Sequence, residues 1–449
     1  MKLNDEYVVK IEKLSNLGTG IAKIDGFVVF VENVCPEDEA KIRITKVNKN
    51  YANAELLEII NPAGCRVEPF CPMQKVCGAC QIQFVNYDYQ LELKRQIVED
   101  ALRSIGGIEI SVQKTVPSPD CKIYRHKIQY PVSQTKVSKR LLIGYYKPQS
   151  HEIVNIKHCP IQPQICDRII DFIREKASDF KISGYDEKKH FGDLRHVVLR
   201  VSAQNGNVLV TLVYNGTKSS KNLTDFANSI YNNFKEVVGV CVNFNSKQTN
   251  VILSNKTECV CGQDYVEEKI LDKVFKIGAN TFFQVNPKSA ENIFSYVKEE
   301  ISKFDSPTVL DAYAGIATFG VVVSDVAEKV VSVEENSDSI KKAQDVLSIN
   351  NINNVELHTA DTTKYLKSVK RKFDVTILDP PRKGCTKESL DETLKHTKDE
   401  IIYVSCNPAT LARDLKYLCE KGCTIKSVQP FDMFCHTYHV ETVVFIKKS

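Results

Sequence analysis

The stretch IIYVSCNPATLARDL, residues 401–415, places Cys406 between a serine and an asparagine, where a run of apolar, β-branched residues ends. Such a run predicts a buried strand, so Cys406 is expected at its carboxyl end. A cysteine in that position is either a small packed side chain or, as a thiolate, a nucleophile. Acidic residues end three further strand-like runs: Glu334 after KVVSV, Asp361 after VELHTA and Asp379 after VTIL.

Strand-like and helix-like segments alternate from residue 306 onward, which predicts a parallel sheet with helices on both faces. Open sheets of this kind bind ligands at the carboxyl ends of their strands. The segment VLDAYAGIATFG contains Gly315 and Gly320, and small residues there let the backbone approach a ligand. Glu334 ends the next strand, where a carboxylate can accept hydrogen bonds from both ribose hydroxyls of a nucleoside cofactor.

The order of these features resembles that of class I S-adenosylmethionine-dependent methyltransferases. The resemblance implies that DAYAG, with Gly315, is the glycine loop, that Glu334 binds the ribose and that Asp361 lies near the adenine. NAD is the second candidate ligand. The absence of a G-x-G-x-x-G pattern and the D-P-P sequence after the fourth strand favour S-adenosylmethionine.

Two further motifs narrow this resemblance: DPPRKG (379–384) followed by IIYVSCNPAT, and FDMFCHTYHVE (431–441). Together they are similar to the two signatures of RNA uracil-5-methyltransferases, and the resemblance extends across the whole chain. One departure is Cys435, which stands where the family usually has proline.

The resemblance assigns a mechanism to the cysteine. A Cys406 thiolate adds to carbon 6 of uracil, and the enolate that results can attack the methyl group of the cofactor, so that one difficult step becomes two easier ones. Glu441 is implied to be the general base that removes the proton from carbon 5. His436 and His439 remain open as alternative bases.

Further residues are expected around the cofactor and the reacting atoms, two of them by the same resemblance. Gln284 and Tyr313 match positions that line the cofactor pocket, and Asp379 is expected to contact the cofactor or the uracil edge. Phe282 is expected to stack on a flipped base. Arg382 is the candidate positive charge that favours the thiolate.

Sixteen cysteines are present, and four of them have a spacing that suggests ligands. Cys71, Cys77 and Cys80 form C-x5-C-x2-C, and Cys159 lies far along the chain. Three grouped thiolates and one remote thiolate are closer to iron–sulfur ligation than to zinc, which more often uses two paired knuckles. The positions match the 4Fe–4S ligands in a subset of the family; unligated buried cysteines remain the alternative.

Short alternating segments in residues 7–60 predict a five-stranded barrel of a type that often binds nucleic acid. The segment GTGIAKIDGFVVFVENVCPED resembles the TRAM domain, except that Glu37 replaces the usual small residue. Residues 122–147 then interleave basic and aromatic side chains, which favours an RNA-facing segment. These side chains are Lys122, Arg125, Lys127, Lys136, Lys139, Arg140 and Lys147 with Tyr124, Tyr130, Tyr145 and Tyr146.

Composition fits a soluble globular protein. The chain has 449 residues, 43% of them hydrophobic and 26% charged, and a net charge of +4, which is too small to establish a polyanionic partner by itself. No stretch has the length and apolarity needed to span a bilayer and no secretory signal is visible, so we expect a cytoplasmic protein with no membrane association and no stable protein partner.

These observations predict an α/β protein whose Rossmann-like class I methyltransferase domain (266–449) follows an OB-like TRAM barrel (1–60) and a central α+β iron–sulfur domain (61–265). The helix near 88–105 is expected either in the central domain or packed with the C-terminal domain. The expected reaction forms 5-methyluridine in 23S ribosomal RNA, and transfer RNA is the nearest alternative substrate.

Other activities fit the motifs less well. Enzymes acting on carbon 5 of cytosine usually carry a cysteine where this chain has DPPR, and adenine-N6 enzymes normally follow D-P-P with an aromatic residue rather than Arg382. A non-catalytic RNA-binding iron–sulfur sensor would need neither Cys406 nor Glu441.

Overall fold

The computed structural model describes residues 1–448, which divide into two compact units. Unit 1 contains residues 1–75, 80–118 and those from 366 onward, and unit 2 contains residues 76–79 and 119–365. The three-domain division stays a prediction.

Unit 1 begins with a six-stranded sheet in the order β1-β5-β6-β4-β3-β2, with β4 and β6 parallel and the other neighbours antiparallel. Its strands are β1 (Glu6–Lys10), β2 (Lys13–Leu14), β3 (Gly20–Ile24), β4 (Phe27–Val31), β5 (Glu39–Val47) and β6 (Tyr51–Asn61). Alternation along β5 buries Ala40, Ile42 and Ile44 in one apolar core. Six strands stand where the sequence pattern predicted five, because β2 is only two residues long and gives little periodic signal.

A helix, α1 (Tyr87–Ala101), follows in the same unit. Asn86 caps it by accepting a hydrogen bond from the Tyr89 N–H at 2.8 Å. The helix continues into one π-helical turn, Leu102–Gly106, and ends at Gly107, whose φ of 65° favours glycine. Its buried face includes Lys94, a charged residue among apolar neighbours.

Unit 2 contains a second six-stranded sheet in the order β12-β11-β10-β9-β7-β8. Its elements are β7 (Lys127–Gln134), β8 (Leu141–Ile143), α2 (Gln164–Lys176), β9 (Leu194–Val201), β10 (Val208–Tyr214), α3 (Lys221–Asn233), β11 (Val237–Phe244) and β12 (Thr257–Gly262). All neighbours are antiparallel except β10 and β11, which α3 connects as the crossover that a parallel pair requires.

A hairpin of β13 (Tyr265–Ile270) and β14 (Lys273–Gly278) leads into α4 (Pro287–Ile301). Strands and helices then alternate as the sequence predicted: β15 (Thr308–Ala312), α5 (Thr318–Val323), β16 (Lys329–Glu334), α6 (Ser337–Ile349) and β17 (Val355–Thr359). β16 pairs in parallel with both β15 and β17, so their carboxyl ends meet at one edge.

The remainder of the described chain has the elements α7 (Thr362–Ser368), β18 (Phe373–Leu378), α8 (Lys387–His396), β19 (Thr397–Ser405), α9 (Pro408–Glu420), β20 (Thr424–Phe431) and β21 (Glu441–Lys447). In unit 1 the strand order is β18-β19-β21-β20. β18 and β19 are parallel as predicted, whereas β21 runs antiparallel to both β19 and β20, which makes this part of the sheet mixed.

Within residues 1–448, no helix combines the length and apolar character needed to cross a bilayer.

Candidate active site

The pairing of β19 with β21 positions Cys406. Ser405 pairs with Thr442 in the last pair of this ladder. Cys406 follows Ser405 and Glu441 precedes Thr442, so the two residues flank that pair, and the charge of Glu441 acts on the Cys406 thiol. Cys406 is partly exposed, whereas Glu441 is only 6% exposed.

Burial sets the protonation of the Cys406 thiol. Desolvation, followed by the charge of Glu441, raises the pKa of Cys406 to about 11, while a hydrogen bond and the positive charge of Arg382 act in the opposite direction. The thiol is therefore the resting form at neutral pH, and Arg382 is the neighbouring group that stabilises the thiolate.

Glu441 has the properties of a base held in an apolar setting. Burial raises the pKa of Glu441 well above its ordinary value, and the negative charge of Asp379 raises it further, while Arg382 lowers it. A carboxylate with a raised pKa takes up a proton more readily than an exposed one.

The DPPRKG loop follows β18 and carries Asp379 and Arg382. The Arg382 carbonyl accepts hydrogen bonds from Asn407 Nδ2 at 3.0 Å and from Thr410 Oγ1 at 3.2 Å. Asn407 also caps α9 by accepting from the Ala409 N–H at 3.1 Å. One asparagine next to Cys406 therefore fixes both the start of α9 and the loop that carries Arg382.

The end of the same loop is held by α9. Gly384 has a φ of 72°, and a Cβ there would lie 2.5 Å from Asp414 Oδ2. Asp414 Oδ2 accepts from the Cys385 N–H at 2.8 Å and from the Tyr403 hydroxyl at 2.7 Å. The glycine is thus required both by its conformation and by the space that Asp414 occupies.

The segment between β20 and β21 is fixed by α1. Lys94 Nζ donates to Asp432 Oδ1 at 2.5 Å and to the Phe434 carbonyl at 2.9 Å, and both charged side chains are fully buried. The Tyr87 hydroxyl donates to Asp432 Oδ2 at 2.8 Å and lies 4.0 Å from the sulfur of Cys435, the residue that stands in place of proline. Removing one member of such a buried pair costs about 3–5 kcal/mol.

His436 has a positional role in this segment. It has a φ of 64°, its N–H donates to Gln90 Oε1 at 3.1 Å and its Nδ1 lies 3.2 Å from Gln90 Nε2. Its carbonyl accepts from the N–H groups of Gln81 and Ile82. These contacts hold the backbone that leads into Glu441, and they favour the reading of His436 as a structural residue.

In unit 2, the glycine loop lies against the strand that ends in Glu334. The Gly315 N–H donates to Glu334 Oε2 at 3.0 Å, and the Asn336 N–H donates to Glu334 Oε1 at 2.8 Å. Tyr313 and Ala317 both have φ near 60°, an uncommon conformation for residues other than glycine. Strained backbone of this kind clusters at ligand sites.

Asp311 is a buried carboxyl beneath this loop that the sequence analysis did not single out. Its Oδ2 accepts from the Gly320 N–H and from Ser332 Oγ, each at 3.0 Å, whereas its buried Oδ1 has no protein partner. Burial raises the pKa of Asp311 to about 7. The sequence does contain a signal for this buried carboxyl, because an acidic residue inside the apolar strand TVLDA is unusual.

The loop between β14 and α4 carries Phe282 and Gln284. Arg200 donates to the carbonyls of Thr281 and Ala279, and the His126 N–H donates to the Val285 carbonyl at 2.7 Å. Phe282 is 67% exposed on this fixed backbone.

The sequence-predicted residues are distributed over both units. Unit 1 holds Cys406, Glu441, Asp379, Arg382, Cys71 and Cys80; unit 2 holds Gln284, Tyr313, Gly315, Glu334, Asp361, Phe282, Cys77 and Cys159. Asp361, just after β17, accepts from the Lys364 N–H at 3.0 Å, which fixes its carboxylate at the edge that Glu334 shares.

The four cysteines proposed as cluster ligands are thiols, because none of the sixteen cysteines, all within residues 1–448, forms a disulfide. Cys159 is buried and the other three are partly exposed. In the described residues, no group of three or more His, Cys, Asp or Glu side chains is arranged to hold a metal ion.

The fold and the site define a class I S-adenosylmethionine-dependent methyltransferase with a TRAM domain: the TRAM profile matches residues 2–57, and the profile of tRNA (uracil-5-)-methyltransferase matches residues 86–449. The chain belongs to this RNA uracil-5-methyltransferase family.

Similar proteins support the assignment. An uncharacterised RNA methyltransferase of Clostridium tetani is 38% identical over 99% of this chain and 97% of its own, and one of Halalkalibacterium halodurans is 37% identical over the same shares. The crystal structure of Pyrococcus abyssi tRNA (uracil-54, C5)-methyltransferase with S-adenosyl-L-homocysteine is similar with a TM-score of 0.79, at 28% identity over 98% of this chain and 99% of that one.

The electrostatics of Cys406 predict its reactivity. Because its pKa is about 11, alkylation of Cys406 by iodoacetamide should accelerate about tenfold per pH unit between pH 7 and 10. Arg382→Gln removes the group that lowers this pKa and should slow labelling several-fold at each pH. Lys383→Gln, an exposed neighbour, is the matched control. Peptide mass spectrometry quantifies the labelling, and equal rates for Arg382→Gln and the wild type would exclude the proposed role of Arg382.

Proposed function

We propose that this enzyme methylates carbon 5 of a uridine in 23S ribosomal RNA through a covalent bond between Cys406 and carbon 6 of the uracil. The observation that carries the mechanism is that Cys406 and Glu441 flank the Ser405–Thr442 pair of β19 and β21 and that the charge of Glu441 acts on the Cys406 thiol. A protein that only bound RNA would require neither a nucleophile nor a buried carboxyl at these positions.

The two side chains divide the chemistry between them. The thiol of Cys406 first loses its proton to water. The sulfur then forms a bond to carbon 6, and the electron pair of the carbon 5–carbon 6 double bond becomes available at carbon 5. S-adenosylmethionine supplies the methyl group when it is bound. Glu441 then removes the proton from carbon 5, the double bond re-forms and the sulfur leaves carbon 6. The raised pKa of Glu441 suits it to accept that proton.

Residues of unit 2 are proposed to hold S-adenosylmethionine. Each Glu334 oxygen accepts one backbone N–H, which orients the carboxylate and leaves lone pairs for the ribose hydroxyls. Asp361 is assigned to the adenine, and Tyr313 and Gln284 to the pocket lining. The strained loop of Tyr313–Ala317 and the unpartnered Oδ1 of Asp311 support a ligand at this strand edge.

Two residues are assigned to the target uracil and its surroundings. Phe282 is a large exposed aromatic side chain on a loop whose backbone is fixed by Arg200 and His126, which suits it to stack on an extruded base. Asp379, next to Arg382 on the DPPRKG loop, is assigned to the cofactor or the uracil edge.

Two RNA classes are candidates for the substrate. The combination of a TRAM domain with the cysteine pattern resembles the branch of the family that acts on 23S ribosomal RNA. Transfer RNA is the second candidate, favoured by similarity over nearly the whole chain to an enzyme that acts on transfer RNA.

The substrate class is tested by methyl transfer from labelled S-adenosylmethionine to unmodified 23S ribosomal RNA and, separately, to unmodified transfer RNA. We expect label in 5-methyluridine of the ribosomal RNA only, and at least a 10⁴-fold loss with Cys406→Ala because the covalent route is removed. Cys419→Ala is the matched control for a partly buried cysteine outside the site. Label only in transfer RNA would overturn the ribosomal assignment, and full activity of Cys406→Ala would overturn the mechanism.

We further propose that Cys71, Cys77, Cys80 and Cys159 hold a 4Fe–4S cluster. Their spacing and the absence of any disulfide at these positions support the proposal, since thiolates are the ligands of such clusters. Methyl transfer requires no electrons, so the cluster is assigned an organising role and no part in the chemistry; among residues 1–448 the four cysteines do not form a ready-made metal site.

Cluster binding is tested on protein purified without oxygen. We expect about four iron and four sulfide ions per chain with visible absorption, lost in Cys77→Ser but retained in the control Cys65→Ser, which lies outside the ligand pattern. Iron-free protein after anaerobic reconstitution would exclude the cluster, and equal iron content in both variants would exclude Cys77 as one of its ligands.

A further inference from the structure

We propose that unit 2 carries a second RNA-binding surface, in which Phe191 stacks on an unpaired base of the substrate RNA some distance from the target uridine. This inference rests on the proposed function for the identity of the RNA. The surface, here called the Phe191 platform, consists of the hairpin Asp186–Phe191 and the loops 135–140 and 246–251.

The hairpin presents Phe191 to solvent. Asp186 and Phe191 exchange two backbone hydrogen bonds, at 2.7 and 3.3 Å, and Asp186 Oδ1 accepts from the N–H groups of Lys188 and Lys189. Phe191 remains 70% exposed on this tight turn. An aromatic side chain held outward in this way leaves apolar surface in water and supplies a face on which a base can stack.

The buried side chain of Arg195 fixes the backbone of the loop 246–251. Arg195, only 4% exposed, donates to the carbonyls of Asn245, Lys247 and Thr249 at 2.6–3.1 Å. Its guanidinium lies 4.7 Å from the centre of the Tyr185 ring.

His190 connects the hairpin Asp186–Phe191 to the loop 246–251. The Tyr185 hydroxyl lies 2.6 Å from His190 Nδ1, and His190 Nε2 lies 3.0 Å from the Ser246 carbonyl. Both the hairpin and the loop 246–251 are therefore preorganised, which lowers the entropy cost of binding.

The third segment of the platform is connected through β7. The Gly184 N–H donates to Gln134 Oε1 at 3.1 Å, and a Cβ at Gly184 would lie 2.4 Å from the Ser133 carbonyl. The loop 135–140 begins directly after Gln134 and exposes Val137 by 94%. Its approach to the hairpin thus depends on a glycine at 184.

The net charge of the three segments indicates the class of partner that the platform binds. The three segments contain six basic and two acidic residues, a net charge of +4 equal to that of the whole chain. No ion pair within residues 1–448 involves the six basic residues, which are Lys136, Lys139, Arg140, Lys188, Lys189 and Lys247. Cations without an ion pair, on the same three segments as an exposed aromatic ring, match single-stranded RNA, which offers phosphates and base faces together.

The positions of Arg195 and Arg200 along β9 set the spacing between the platform and the loop that carries Phe282. Arg195 anchors the platform at one end of β9, and Arg200 anchors the Phe282 loop near the other end. Five residues of strand span about 17 Å. This corresponds to roughly five stacked nucleotides. The two anchors thus lie several nucleotide lengths apart, and the platform is assigned to nucleotides that flank the target.

The test measures binding of a 15-nucleotide oligouridine by fluorescence anisotropy and methylation of the RNA identified above. Phe191→Leu keeps an apolar side chain but removes the stacking face, so we expect about tenfold weaker oligouridine binding, within the range that loss of one stacked base produces. Phe191→Tyr keeps the ring and should bind as the wild type does. The double variant Lys188→Ala, Lys189→Ala should lose about two phosphate contacts. The slope of log affinity against log salt concentration should become shallower by the corresponding amount.

The two proposals fail separately in this experiment. Equal binding by Phe191→Leu and the wild type, with unchanged thermal unfolding, would overturn the platform, as would a failure of the wild type to bind oligouridine. Absence of methylation by the wild type on every RNA, together with weakened binding by Phe191→Leu, would overturn the proposed function and leave the platform supported. For a flanking contact we expect Phe191→Leu to bind oligouridine more weakly than the wild type. The same variant should methylate an RNA trimmed to four nucleotides on either side of the target as well as the wild type does.

Discussion

The antiparallel pairing of β19 with β21 is the constraint on which the proposed chemistry depends. One strand ends at Ser405 and the other begins at Glu441, and the register between them brings Cys406 and Glu441 to either side of the Ser405–Thr442 pair. Because side chains alternate along a strand, a slip of one residue would turn one group to the other face of the sheet. The low-dielectric surroundings raise the pKa of both groups, which protects the thiol in the resting enzyme and strengthens the carboxylate as a base.

Polar contacts outside the reacting atoms hold this register in place. The buried pair Lys94–Asp432 and the two Gln90 contacts to His436 fix the segment that leads into β21. These contacts give a physical account of how a chain with Cys435 keeps this segment ordered without the usual proline: the backbone is held by α1 rather than by a restricted φ. Buried charges are costly unless paired, so their retention here fits a positional requirement.

Much of the architecture is local enough to be predicted from the sequence. The alternation of β15 to β17 with helices, and the carboxylates at their ends, follow from apolar runs and glycine loops. The antiparallel β21 was not predicted, because periodicity identifies a strand but not its direction. The roles of Gln90 and Lys94 depend on contacts more than three hundred residues away, and Arg195 is a basic residue whose burial no pattern reveals. The site residues themselves came from motifs, and their roles in catalysis stay proposals.

The central claim is that Cys406 bonds to the uracil and that Glu441 permits its release, and trapping the covalent intermediate tests this most directly. Glu441→Gln, with S-adenosylmethionine and substrate RNA, should accumulate protein–RNA adduct that survives denaturing electrophoresis. The adduct should carry the transferred methyl group and map to Cys406 by mass spectrometry. Release of methylated RNA by Glu441→Gln at the wild-type rate, or an adduct that persists in Glu441→Gln combined with Cys406→Ala, would contradict the account.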